Sequence, residues 1–264
     1  MTITLDTIVS LGASLVRPTR GAVVIGHRRV PKKMLEFYEA EYCPFCRHVR
    51  ETLTALDLDA KVYPVPKKGT RFTQQLVKLG GKAKVPFLHD PNTGEHLYES
   101  EAIATYLYDR YGLKGHKAPD RDIKSSTLVT ALRGRSGMFA KPSTAPKKPL
   151  ELYSFEACPY ARLVRETLCE LEIPYVLHNV GKGSSRAEWL PPGYREIAMK
   201  DYEPGTTNRR KLLARGGRMI VPYLVDPNTK TAMYESWLIQ EYLRRTYGAR
   251  DSTATAGASL RGPG

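Results

Sequence analysis

The chain has 264 residues, 41% of them hydrophobic, and a formal net charge of +14. That length allows one large domain or two ordinary ones, each with a core needing no covalent staples. No run of about 18 apolar residues is present to make a membrane-spanning helix, and the N-terminus lacks the apolar core of a secretion signal.

Four cysteines, Cys43, Cys46, Cys158 and Cys169, are too few for a disulfide scaffold, so reactive or buried thiols in a reducing compartment are expected. Cys43 and Cys46 have the spacing of half a zinc site, but no compact second pair follows, and no metal is expected. Much of the positive excess lies outside the patterned regions: Arg17, Arg20, Arg28, Arg29, Lys32 and Lys33 before the first cysteine, then Lys114, Lys117, Arg133, Arg135, Lys141, Lys147 and Lys148. This reads as solvated connector charge, and no nucleic-acid-binding motif accompanies it.

In chain order, an arm over 1–33 precedes LEFYE (35–39), a short strand. CPFC then opens a helix that places Val49, Leu53 and Leu56 on one face. AKVYPV (60–65) is a strand, and FTQQLVKL (72–79) is a helix ending at Gly80-Gly81. VPFL, the DPNTG turn and HLY form a hairpin, and SEAIATYLYDRYG is a closing helix.

A connecting arm over 116–148 follows, and then the plan repeats. CPYA at 158 matches CPFC at 43 at an offset of 115, while VPYL and DPNTKTAMYES match VPFL and DPNTGEHLYES at an offset of 136. The difference of 21 is an insertion within AEWLPPGYREIAMKDYEPGTTN, after Arg186. PKKMLEFY and PKKPLELY match as well, so although the Arg- and Ser/Thr-rich start suits a transit peptide, the arm reads as part of the mature fold and a cytoplasmic location is expected. The expected domains are 34–115 and 149–249, each βαβαββα, with a disordered tail over 250–264.

Alternating strands and helices with CxxC after the first strand point to a thioredoxin-like domain. The motifs make this specific. CPFC followed by Arg47, Val85-Pro86 before a strand, and Glu99-Ser100 opening the last helix resemble glutaredoxins and the N-terminal domain of glutathione transferases. The whole chain is similar to glutathione transferase relatives with two such domains in tandem and no all-helical C-terminal domain.

The chemistry follows from position. A thiol at a helix start meets unpaired backbone N–H groups and the positive dipole end, both of which stabilise a thiolate. Cys43 is therefore the expected nucleophile, with Arg47 adding positive charge, and Cys46, one helical turn on, is the more buried resolving thiol. Cys158 holds the nucleophile's position in the second repeat with Ala161 in place of the partner, and Cys169 reads as core.

The resemblance implies glutathione as cosubstrate. It makes the Val85-Pro86 and Val221-Pro222 bonds cis, with Val85 and Val221 pairing their backbone with the tripeptide. It also carries contacts onto Phe45, Arg47 and Tyr160, and places the γ-glutamyl end at Glu99, Ser100, Glu235 and Ser236. Lys67, Lys68 and Arg71 are candidates for the glycyl carboxylate. His48 reads as a surface helix residue, and Trp189 and Trp237 as packing or cleft-rim residues.

The leading function is glutathione-dependent thiol transfer through Cys43, acting on small-molecule or protein disulfides. The alternatives are glutathione conjugation to electrophiles or peroxide reduction, and a non-catalytic glutathione-binding or redox-sensing role, above all for the second repeat. No membrane or specific nucleic-acid partner is expected.

Overall fold

The computed structural model describes residues 4–17, 19–183, 186–190 and 204–249. The tail over 250–264 and most of the insertion lie outside the described residues. The first repeat comprises β1 (Leu35–Glu39), α2 (Pro44–Ala55), β2 (Ala60–Pro64), α3 (Thr73–Gly80), β3 (Phe87–Asp90), β4 (Glu95–Tyr98) and α4 (Ser100–Tyr111). The second comprises β5 (Leu150–Ser154), α6 (Pro159–Glu170), β6 (Tyr175–Asn179), α7 (Thr207–Gly216), β7 (Tyr223–Asp226), β8 (Thr231–Tyr234) and α8 (Ser236–Tyr247), with a 3-10 turn at Arg186–Trp189. Two further helices lie in the arms: α1 (Leu5–Leu15) and α5 (Ile123–Leu132).

Within each repeat the first two strands run parallel and a hairpin closes one side, with Leu35 opposite Ala60 and Leu150 opposite Tyr175. The burial pattern is the same in β1, β2, β5 and β6: every position except the second is buried. Strands covered on both faces read as near-continuous apolar runs. The two repeats share one eight-stranded sheet in the order β4-β3-β1-β2-β6-β5-β7-β8. The seam is an antiparallel pairing of β2 with β6, Ala60 opposite Leu177 and Val62 opposite Tyr175. Each repeat alone would leave that strand as an open edge with unpaired N–H and C=O groups; pairing removes both edges.

The cores form as the helical periodicity predicts: Val49, Leu53 and Leu56 in α2, and Val164, Leu168 and Leu171 in α6, are all buried. The DPNT turns are anchored alike. Asp90 accepts from Asn92 N and from the hydroxyls of Tyr106 and Tyr111, and Asp226 accepts from Asn228 N and from those of Tyr242 and Tyr247. One carboxylate thus ties each hairpin to its closing helix.

The arms are exchanged between the repeats. In α1, the Ser10 hydroxyl donates to Pro159 O at 2.7 Å and Ser14 to Ala157 O at 2.9 Å, so the leading arm covers the second repeat's cysteine helix. In α5, Ser126 donates to Pro44 O at 3.0 Å and covers the first repeat's. The reading of the arm cations as solvated is corrected at two positions. Arg17 makes paired bonds of 2.9 Å to both oxygens of Glu51, Arg133 makes bonds of 2.8 and 2.7 Å to Glu166, and both arginines are buried. A planar guanidinium matches a carboxylate fork in this way, and burial removes the competition from water.

Candidate active site

Cys43 is the N-cap of α2, with extended backbone, and Pro44 begins the helix. Proline suits that position because its missing N–H would be unsatisfied there. The Cys43 sulfur accepts the Cys46 backbone N–H at 3.5 Å. Cys43 is 8% exposed and Cys46 is fully buried, the order expected for attacking and resolving thiols. The Cys43 thiol is drawn down to about 6, first by the hydrogen bond from the Cys46 thiol and then, against the opposing effect of burial, by the Cys46 and Phe45 backbone N–H groups and the Arg50 charge. Cys46 goes the other way: burial pushes it well up, reinforced by its bond to Cys43 and by the nearby Glu39 carboxyl.

Arg47 is not the cation beside the sulfur. It is buried, lying 3.3 Å from Glu156 and donating to Ser126 O at 2.6 Å, to the Ser126 hydroxyl at 2.9 Å and to the Thr130 hydroxyl at 3.2 Å. Its assignment to glutathione is corrected, since these bonds hold α5 in place. Arg50, one turn further on, takes the electrostatic role. It lies fully buried between Glu39, Glu41 and Glu156. His48 is also buried rather than on the surface, and burial together with Arg20, Arg121 and Arg17 lowers it to about 4, leaving a neutral imidazole.

Around Cys43, the Val85-Pro86 bond is cis. Glu99 has a φ of 65° and caps α4, where Ser100 is buried at the first position. The Glu99 carboxylate pairs with Lys84. Phe45 is half-exposed, with the Arg121 guanidinium 5.3 Å from its ring centre. Lys67 and Lys68 lie over the Phe139 ring. Arg71 is directed elsewhere: it donates to Leu171 O, Glu172 O and Ser143 O at 2.8, 2.6 and 2.9 Å, which joins the repeats and corrects its assignment to the glycyl carboxylate.

The second repeat reproduces the backbone of this arrangement and changes its chemistry. Cys158 caps α6 and accepts the Ala161 N–H at 3.4 Å, and the Val221-Pro222 bond is cis. Glu235 has a φ of 70° and Ser236 is buried at the start of α8. Yet Cys158 is 4% exposed rather than open to solvent, and burial raises its thiol despite the Ala161 N–H and Arg165. Its S–H points to Val221 O at 3.9 Å. Tyr160 and Trp189 line the cavity beside it, Trp237 is 42% exposed on α8, and Cys169 is core.

Beneath both cysteine helices lies an ionic cluster that hydrophobic patterning does not reveal. Glu156 accepts from Arg50 at 2.7 Å and contacts Arg165 at 3.0 Å, and Glu41 accepts two bonds of 3.1 Å from Arg165. Burial would raise Glu156, but Arg165, Arg50 and Arg47 hold it down at about 2. The signal for this cluster was the VRETL segment, written with the same charged letters in both repeats. Among the described residues no cluster of His, Cys, Asp and Glu could hold a metal ion, and no helix is long and apolar enough to cross a membrane.

The paired sheet halves, each with a cysteine capping its first helix, define a tandem thioredoxin-like protein. Residues 37–115 and 152–251 both match the glutathione S-transferase N-terminal domain, so the chain belongs to that family, with the domain present twice. A search of curated proteins returns no match. Among solved structures, a Bombyx mori glutathione transferase is 30% identical over 32% of this chain and 38% of its own, with a TM-score of 0.29. The chain thus spans well under half of that enzyme. A trimeric glutathione transferase from Leishmania is 14% identical over 85% of this chain and 69% of its own, with a TM-score of 0.28.

Proposed function

We propose that the chain is a glutathione-dependent thiol-disulfide oxidoreductase whose exchanging sulfur is Cys43. The observation that carries this reading is the divergence of two thiols one helical turn apart: Cys43 drawn down to about 6 and Cys46, fully buried beneath it, pushed up. At neutral pH such a pair holds one thiolate and one thiol, the division that exchange requires.

In this mechanism the Cys43 thiolate attacks the glutathionyl sulfur of a mixed disulfide. A Cys43–glutathione bond forms as the substrate S–S bond breaks, and the substrate leaves as a thiolate. A second glutathione then attacks the sulfur of the bound glutathione, yielding oxidised glutathione and regenerating the Cys43 thiolate, and its proton goes to the departed thiol. In the dithiol variant the Cys46 sulfur attacks Cys43 instead: the Cys43–glutathione bond breaks as the Cys43–Cys46 bond forms, and glutathione leaves with the Cys46 proton. Two further glutathiones then reduce that disulfide, leaving as oxidised glutathione and restoring both cysteines. The departing sulfur is stabilised by the N–H groups and Arg50 that stabilise the resting thiolate.

For glutathione itself, the Val85 backbone, Phe45, and Glu99 with Ser100 at the start of α4 offer complementary groups. A helix N-terminus favours the γ-glutamyl carboxylate, and the Glu99 carboxylate favours the ammonium. Four free cysteines accord with a reducing, cytoplasmic setting.

For the second repeat, Ala161 and the raised Cys158 thiol favour binding over exchange. The test is glutathione-dependent reduction of a cysteine–glutathione mixed disulfide by wild type, Cys43→Ser, Cys46→Ser and Cys158→Ser. The expected result is loss of turnover in Cys43→Ser alone, or in Cys43→Ser and Cys46→Ser if the dithiol route operates. Full activity in Cys43→Ser would overturn the reading.

A further inference from the structure

The duplication allows the two clefts to be compared position by position. Beside Cys158 a cavity of about 270 Å³ is lined by Phe155, Tyr160, Trp189, Met219 and Ile220, among other residues. Phe155 stands where the first repeat has Ala40, Met219 where it has Ala83, and Ile220 where it has Lys84. Each change adds apolar surface. The last also removes the cation that pairs with Glu99 in the first repeat.

Trp189 belongs to the insertion and has no counterpart in the first repeat. Its indole is held in place as a wall: Nε1–H donates to Gly183 O at 3.3 Å, and the Lys182 ammonium lies 4.5 Å from the ring centre. Its neighbour Glu188, buried, accepts the Gly183 N–H and lies 3.7 Å from Arg209, which donates to Gly181 O at 2.8 Å. The cations of the wall are therefore engaged by protein groups, and the Cys158 S–H is directed to Val221 O. Lys182 and Arg209 line the cavity in these engaged positions, and the rest of its lining is apolar and aromatic surface around the Cys158 thiol.

We infer that this cavity binds a neutral, planar aromatic molecule, and that the second cleft serves as a ligand site rather than a second exchange centre. Its volume, near the lower end of the roughly 300–1,000 Å³ range of small-molecule sites, admits a ligand of about two rings. Stacking on Trp189 and Tyr160 and contact with Ile220 and Met219 supply the affinity. The inference stands apart from exchange at Cys43: loss of turnover in the wild type would remove that reading and leave this one to its own test.

The test uses prodan, a neutral naphthalene dye whose emission shifts when it leaves water, with the full chain. Wild type and Lys84→Ile should bind it saturably and with equal affinity. Ile220→Lys, which restores the first repeat's residue, and Trp189→Ala should each weaken binding at least tenfold while leaving Cys43-dependent exchange unchanged. In the wild type, whose folding is not in question, prodan should slow alkylation of Cys158 by N-ethylmaleimide and leave that of Cys43 unaltered. Absence of saturable binding, equal binding by Ile220→Lys, or protection of Cys158 by S-methylglutathione but not by prodan would each overturn the inference.

Discussion

Glu156 stands two residues before Cys158, yet its carboxylate accepts the Nε–H of Arg50, on the first repeat's cysteine helix, at 2.7 Å. The relation is reciprocal, since Glu41, two residues before Cys43, accepts from Arg165 on the second repeat's cysteine helix. Each thiol's approach loop is therefore held by the other repeat, and the two halves are one electrostatic unit.

Replacing Glu156 with Gln should be strongly destabilising. Arg47, Arg50 and Arg165 all converge on this carboxylate, and removing one partner of a buried ion cluster costs about 3–5 kcal/mol because the remaining charges stay buried. Urea unfolding of Glu156→Gln against wild type measures it. A loss below about 1 kcal/mol, the range of exposed pairs, would show that the cluster does not join the repeats.

The two N-cap thiols should separate in a pH profile. A depressed thiol pKa means the reactive thiolate forms at lower pH, so alkylation of Cys43 should be half-maximal near pH 6 and level off above it. The Cys158 thiol is raised above its ordinary 9.0, so its rate should still be climbing at pH 9. Peptide mass spectrometry after timed iodoacetamide labelling resolves the two sites.

The exchanged arms predict an effect at a distance in sequence. Removing residues 1–16 strips α1 from the start of α6, where Ser10 and Ser14 bond to Pro159 O and Ala157 O. Labelling of Cys158 should rise by about tenfold or more, the factor that ~1.4 kcal/mol of easier local opening supplies. Cys43, covered by α5, should change less. A larger change at Cys43 would contradict the exchange.

Much of the architecture was legible in the sequence. The strands at 35–39 and 150–154, the helices opened by Cys43 and Cys158, and the Gly81 stop of α3 all follow from periodicity and capping chemistry. The arm helices were not, because α1 buries Thr7, Ser10 and Ala13, small and partly polar residues that make a weak apolar stripe. The burial of Arg47, His48, Arg50 and Glu51 is hidden in the sequence for a related reason. Charged letters opposite an apolar stripe ordinarily face solvent, but here the second face of α2 packs against α5 and the other repeat. Periodicity detects the core a helix shares with its own sheet and is silent about a polar interface with a second copy.

The most direct test of Cys43 as the exchanging thiol is intact-mass measurement of Cys46→Ser after brief exposure to oxidised glutathione at pH 7. With the resolving thiol removed, the account predicts one glutathione adduct per chain, mapped to Cys43 and released by excess reduced glutathione. An adduct on Cys158 in place of Cys43, or none at all, would contradict it.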